Sequence, residues 1–259
     1  MVAASKMEIP PSQHDGLMKE IEKIPEFELL DVSVVKDGTH RDQTKFKAVV
    51  EREKDEAIAV VSSKYALVQM REVFGQVLSR IDQDINGEVL YYGGRGQLHI
   101  FPNDSRVGIC VMNSVDRSSA IRILFIGKAN GATVYLPRVR EYKRLHVGAP
   151  LSEVRNYSEI LTDAQETWET IADRLSKTPL TDELVTEIKE TVDTKALAER
   201  VDEFVRYNLD RYLRKQLTLW DLLLTVLKAA AESRFKSKVH RERRLQRLSS
   251  MLLAFALKS

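Results

Sequence analysis

Cysteine is almost missing from this 259-residue chain: Cys110 is the only one. No intramolecular disulfide can form, which points to a cytoplasmic or other reducing setting. Long apolar runs are missing too. The longest, residues 219–231, is interrupted by Asp221 and Lys228, and it is too short and too charged to span a bilayer. The opening MVAASKMEIPPSQHDG lacks the apolar core of a signal peptide. No membrane partner is expected. There is no G-x-x-x-x-G-K-S/T, no H-E-x-x-H and no paired C-x-x-C. His14, His40, His99, His146 and His240 are far apart, so surface or core histidines are expected rather than a metal site. No metal or cofactor is expected, and no residue is assigned a catalytic role. A surplus of charge is also lacking. Lys and Arg number 40 against 38 Asp and Glu, a balance that does not by itself announce a nucleic-acid binder.

What is present is a core of 43% hydrophobic residues, enough for one large or two small domains. After a Pro- and Ser-containing start, a short amphipathic helix is expected over residues 17–24. Strands are expected over 27–35, 46–53 and 57–62. The period then changes. Met70, Val73, Phe74, Val77, Leu78 and Ile81 recur at helical spacing, predicting a helix from 69 to about 85 that ends at Asn86–Gly87. A β-meander follows over 88–92, 97–101, 107–113, 120–128 and 133–136. Asn130–Gly131 suits a type I′ turn.

From residue 151 the pattern is helical. Val154, Tyr157, Leu161, Ala164, Trp168, Ile171 and Leu175 alternate three and four apart. Packing against the chain's own helices is one reading of that stripe; a seam to a second copy is the other. Thr181 can start a short helix. Thr218 and Asp221 form a capping box before a helix that is apolar almost all round. Leu245, Leu248, Leu252 and Phe255 stripe the last helix. The fold class is α+β: a mainly antiparallel sheet with a helix in the N-terminal half, and a helical C-terminal half. The divisions are a mobile N-terminal segment with its short helix (1–26), a sheet-plus-helix domain (27–148) and a helical region (149–259).

Net charge hides a partition. Residues 151–204 hold fourteen Asp and Glu against six Lys and Arg, whereas residues 205–259 hold thirteen Lys and Arg against four Asp and Glu. Arg234, Lys236, Lys238, Arg241, Arg243, Arg244 and Arg247 face only Glu242. A basic helix can lie against the acidic helices before it and lose its excess charge. Helical projection also spreads these residues around the axis, so they cannot all line one groove. Arg241, Arg243, Arg244 and Arg247 are kept as a secondary basic patch. A first cluster follows the meander: Arg138, Arg140, Lys143 and Arg144, interleaved with Tyr135 and Tyr142. Cations can hold phosphates there while rings stack on bases. The alternative is a surface loop whose tyrosines pack inward.

Other features read as structural. Cys110, between Ile109 and Val111, reads as a buried strand thiol. Asp82, Asp84, Asn86 and Gly87 imitate the start of a calcium loop, but the twelfth position is Gly93 rather than Glu, so a helix C-terminus is expected. The polar loop 113–119 has no partnered histidine to activate Ser114, Ser118 or Ser119 and reads as a turn. Gly93–Gly94–Arg95–Gly96 permits close approach to a phosphate, and also suits a hairpin loop.

The order of several short elements resembles a phage- and plasmid-borne family catalogued as domain of unknown function 932. Ser63–Lys64–Tyr65–Ala66–Leu67–Val68–Gln69 resembles its "rY-x-vvq" element. Asn113–Ser114–Val115–Asp116–Arg117–Ser118–Ser119–Ala120 resembles its "NS-x-D-G-S-x-A" segment, with Arg117 where glycine is usual. Leu145–His146–Val147–Gly148 resembles its "H-t" element, and Leu219–Trp220–Asp221–Leu222 its "W-d-l" helix start. The elements span residues 45–250. The chain departs at Lys128–Ala129–Asn130–Gly131, where the family carries a Cys–Asn pair. The resemblance implies a mobile-element origin, viral or plasmid, with no established activity and no catalytic residues. The expectation is therefore a non-enzymatic nucleic-acid-binding protein of a virus or plasmid, handling single strands in replication or recombination, cytoplasmic and able to oligomerise. The alternative is a self-assembling or host-factor-binding interaction protein. An enzyme using Asp116 or His146 ranks third.

Overall fold

The computed structural model describes residues 13–36, 39–116, 118, 120–136, 142–144, 157–235 and 237–256. Helix α1 (Gln13–Glu22) comes first, and its Leu17 and Ile21, four apart on one face, enter the core. Three antiparallel strands follow in the order β1 (Phe27–Lys36), β2 (Thr39–Glu51) and β3 (Glu56–Ser62). β1 and β2 continue past β3. Their register runs on to Val34↔Arg41 and Lys36↔Thr39, whereas β3 pairs with β2 only from Phe46 onward. β2 thus starts well before the expected residue 46, because its first residues are polar and lack the alternation that marks a half-buried strand.

Helix α2 (Met70–Leu78) buries Met70, Val73, Phe74, Val77 and Leu78. It stops at Leu78 instead of reaching residue 85. Asp82 and Asp84 would sit unfavourably at the negative end of a longer helix. Asn86–Gly87 is therefore not a helix stop; it lies inside the next strand. A Cβ at Gly87 would fall 2.4 Å from the His99 carbonyl oxygen, so glycine is there for close strand approach. By contrast, Gly75 inside α2 has only Met18 Cε within reach, at 4.0 Å from a built Cβ. Gly75→Ala is expected to stabilise the protein by about 0.5–1 kcal/mol, since alanine has the higher helix propensity and restricts the unfolded chain. The urea midpoint should rise with an unchanged slope; a lower midpoint would show that the space is not there.

The second sheet contains β4 (Ile85–Tyr92), β5 (Arg95–Pro102), β6 (Val107–Ser114), β7 (Ile121–Ala129), β8 (Ala132–Tyr135) and β9 (Tyr142–Arg144). Strands β4 to β8 form an antiparallel meander in chain order. Asn130 and Gly131 have φ of 49° and 78°, the positive pair that a type I′ turn needs. β8 and β9 share one edge. β8 pairs with the later part of β7 (Ala129↔Ala132), β9 with the earlier part (Ile121↔Arg144).

Every residue of β6 is buried, so both sheet faces are covered. One face meets α1, α2 and α3 (Tyr157–Lys177): a Cβ at Gly96 would touch Met70 and Phe74, and one at Gly127 would strike the Trp168 ring. The other face meets α8 (Lys238–Ala256), where Tyr135 bonds to Glu242. Between α3 and α8 run α4 (Asp182–Thr191), α5 (Lys195–Tyr207), α6 (Leu209–Leu213) and α7 (Leu219–Glu232). Thr181 and Thr194 cap α4 and α5, and the Thr218–Asp221 capping box opens α7. α7 is central, packed among α3, α5, α8 and β8. One hydrophobic cluster runs unbroken from Leu17 through the sheet to Leu253, so the helical half shares its core with the sheet. Among the described residues, no helix is long and apolar enough to cross a membrane.

Candidate nucleic-acid interface

In a meander the β4–β5 turn and the β6–β7 loop must fall at the same end of the sheet. Gly93 and Gly94, with φ of 54° and 76°, make the first turn. The Gly94 carbonyl accepts from Val115 N at 2.9 Å, which ties the two loops together. Ile58 of β3 packs in so closely that its Cδ1 would lie 2.6 Å from a Cβ at Gly94. Arg95, leaving the turn, donates from Nε to Asp116 Oδ2 at 2.7 Å. Asp116 Oδ1 accepts from Ser118 N at 2.9 Å. Arg243 reaches down from α8 and donates from Nη2 to Ser118 Oγ at 3.4 Å. His240, one turn earlier on α8, lies edge-on to Tyr92 with ring centroids 4.9 Å apart. Arg144 of β9 pairs with Ile121, just beyond the same loop. Three separate stretches of chain thus bring Arg95, Lys143, Arg144 and Arg243 to one end of the sheet.

The electrostatics are lopsided. Asp116 is partly buried, which pushes its carboxyl up. Hydrogen bonds from Ser118 and the Arg95 guanidinium outweigh that and hold it below the usual carboxylate range. It stays ionised and bonded to Arg95, and it is the carboxylate whose charge also acts on Arg243. At Arg243, burial and then the nearby Arg95 both disfavour the cation, and Asp116 opposes them. Arginine does not give up its proton in proteins, so this group of two guanidiniums and one carboxylate carries net positive charge. The arrangement can receive an anion with planar, paired donors, a phosphate above all.

The expected site residues fare differently. Tyr135 is 1% exposed, and burial pushes its phenol well above the ordinary range. It cannot stack on a base, because β8 is buried on both faces and its hydroxyl is used by Glu242. Arg138 and Arg140 lie outside the described residues. Tyr142, Lys143 and Arg144 form β9, whose backbone is described but whose side chains are not. In the secondary patch, Arg241 is tied to Glu242 through Nη2 at 2.9 Å. Arg244 makes a two-pronged contact with Asp193, at 3.1 and 2.8 Å. Those two cations are neutralised, the second by a residue of the acidic stretch that precedes it. Arg243 and Arg247 are left. Arg247 is exposed and has no carboxylate partner among the described residues. Arg95 was not among the expected contacts, although its glycine-rich turn and the Asp116 loop each stood out. Their meeting follows from the meander's parity. The chain matches no family model, no curated protein and no solved structure.

Proposed function

We propose that this chain is a non-enzymatic nucleic-acid-binding protein of a virus or plasmid, handling single strands in replication or recombination. The observation that supports this most is the meeting of Arg95 and Arg243 beside one carboxylate: Arg95 bonds Asp116 directly, while Arg243 bonds the neighbouring Ser118 and feels the Asp116 charge. Arg138, Arg140, Lys143 and Arg144 would extend the phosphate track from that end, with Tyr142 as the stacking ring. The mobile-element setting comes from the resemblance of the short ordered elements. The test is fluorescence anisotropy with labelled single-stranded oligonucleotides over a range of salt. Each phosphate contact contributes a slope of about −0.7 in log affinity against log salt, so these six cations predict roughly −4. Absent binding, or binding indifferent to salt, would overturn the proposal.

A second reading has its own support. Leu30, Ala48 and Val60 form one cross-strand row on the open face of the three-stranded sheet, and Phe46 beside it is 53% exposed. Large exposed apolar neighbours commonly mark protein contacts. In that reading the chain self-assembles or binds a host factor. Sedimentation of the pure protein separates the two: a monomer with salt-dependent affinity supports the first.

A further inference from the structure

Between the sheet and α8 runs a file of buried polar groups that the basic end does not use. Gln97, His99, Tyr135 and Glu242 are all essentially inaccessible. Tyr135 Oη donates to Glu242 Oε2 at 3.0 Å and lies 3.2 Å from His99 Nε2. His99 Nε2 is also 3.2 Å from Gln97 Oε1. The other ring nitrogen, Nδ1, faces Glu88 Oε1 at 3.5 Å, an ionic contact without hydrogen-bond alignment. Arg241 closes the outer end, its Nε 3.0 Å from Glu242 Oε1.

With the Gln97 amide oxygen turned toward the ring and the shorter of the two Tyr135 hydroxyl contacts, 3.0 Å to Glu242 against 3.3 Å to Gln97 Oε1, taking its hydrogen, the protons along the file can be counted. Tyr135 has one hydroxyl hydrogen and gives it to Glu242, so its oxygen can only accept from His99. Gln97 Oε1 is also an acceptor. Nε2 therefore needs a hydrogen. The Glu88 carboxylate lies 3.5 Å from Nδ1, and its negative charge favours a hydrogen there over a bare lone pair. With both, charges alternate along the file: Glu88 negative, His99 positive, Glu242 negative, Arg241 positive. Without the second proton, two carboxylates, one of them buried, border an uncharged buried ring.

The groups facing His99 come from every neighbouring element: Glu88 of β4, Gln97 beside it on β5, Cys110 of β6, Tyr135 of β8, and Arg241 and Glu242 of α8. Lys128 and Lys238 act on Glu88 from farther off. Burial raises both the Cys110 thiol and the Tyr135 phenol well above their ordinary values, so neither ionises near neutrality. His99 holds Glu88 below the usual carboxylate range, so that acid stays charged when the medium is mildly acidic.

We propose that His99 is a pH-sensitive latch for α8: the imidazolium holds the helix to the sheet, and its deprotonation loosens the helix and the Arg243 it carries. The sign follows from the partners. Carboxylates border the ring on both sides, so the attraction they supply exists while the imidazolium exists and is lost when it gives up its proton.

The test uses the full-length protein, free of nucleic acid. Long-range proton–nitrogen spectra of the imidazoles are recorded from about pH 5.5 to about pH 9, the span over which histidines change charge. Hydrogen exchange of α8 peptides is followed on the same samples, corrected for intrinsic rates. The expected result is a His99 ring protonated on both nitrogens near pH 6, with α8 protection dropping about tenfold relative to α7 as that form disappears. His99→Gln should flatten the α8 profile. If it does not fold, Tyr135→Phe identifies the ring by the displaced Nε2 signal. A His99 ring that is neutral throughout overturns the latch. So does α8 protection that ignores the loss of the imidazolium, or a His99→Gln profile identical to wild type. No oligonucleotide enters either readout, so failure of the binding proposal and failure of the latch are separately visible.

Discussion

Replacing Arg95 and Arg243 together by glutamate is expected to weaken oligonucleotide binding about 100-fold near physiological salt, taking roughly a tenfold loss per reversed contact. The slope of log affinity against log salt should fall by about 1.4, the share of two phosphate contacts on a single strand. Loss of affinity alone would not separate a contact role from a structural one, because Arg95 also holds Asp116 at 2.7 Å. Asp116→Asn separates them. If the loops merely need their ion pair, removing the carboxylate should weaken binding as the arginine changes do. If the guanidiniums wait for a phosphate, Asp116 competes with it, and Asp116→Asn should tighten binding about threefold, within the range that a partly exposed ion pair commands. Anisotropy titrations on variants with unchanged thermal midpoints decide. Equal affinity of the double reversal and the wild type would remove this end of the sheet from the binding surface.

Some of this geometry could be read from residues alone. The turn at Asn130–Gly131, the caps at Thr181 and Thr218 and the apolar α7 rest on local chemistry, and each is found where that chemistry places it. Both hairpin loops at the basic end were also visible as glycine-rich and polar interruptions between strands. Other features depended on distant partners and left weaker marks. Asn86–Gly87 has the composition of a stop signal, yet it lies in β4 because the His99 carbonyl crosses so close to Gly87. Tyr135 follows a short apolar run and precedes a basic one. Its burial depends on Glu242, more than a hundred residues later. β9 is three residues, two of them cations, and pairs only because β8 leaves half of the β7 edge free. The acid–base partition along the chain foreshadowed that α8 would meet its acidic neighbours. It could not indicate that Asp193 would take Arg244 and leave Arg243 bonded to Ser118, near Asp116.

Gly108→Ala is expected to be more damaging than the same change at Gly96 or Gly127, and the reason is what the new carbon would meet. At Gly96 an added Cβ approaches Met70 Sδ at 2.7 Å and the edge of Phe74. Methionine can swing aside, so the expected loss is about 1 kcal/mol. At Gly127 the neighbour is the Trp168 ring, 2.0 Å from the built carbon. That ring is braced edge-on by Trp220, with centroids 5.3 Å apart, so it can move only by disturbing α7, and about 2–3 kcal/mol is expected. At Gly108 the carbon would sit 2.0 Å from the Ile100 carbonyl oxygen, an atom of the neighbouring strand's backbone. No rotamer change relieves that clash. β5 and β6 must separate, although both are central strands with helices on each face. A loss above about 3 kcal/mol is expected, enough to unfold a domain of ordinary stability under mild stress. Urea denaturation of the three alanine variants should rank them Gly96, Gly127, Gly108 from least to most damaged, with unchanged slopes for those that fold. The consequence reaches both functional proposals. His99 pairs with Cys110 and Arg95 with Ser114 across the same two strands, so parting them displaces the latch and the basic turn together. A Gly108→Ala protein as stable as wild type would mean that β5 and β6 do not approach this closely, and the placement of both sites would fall with that register.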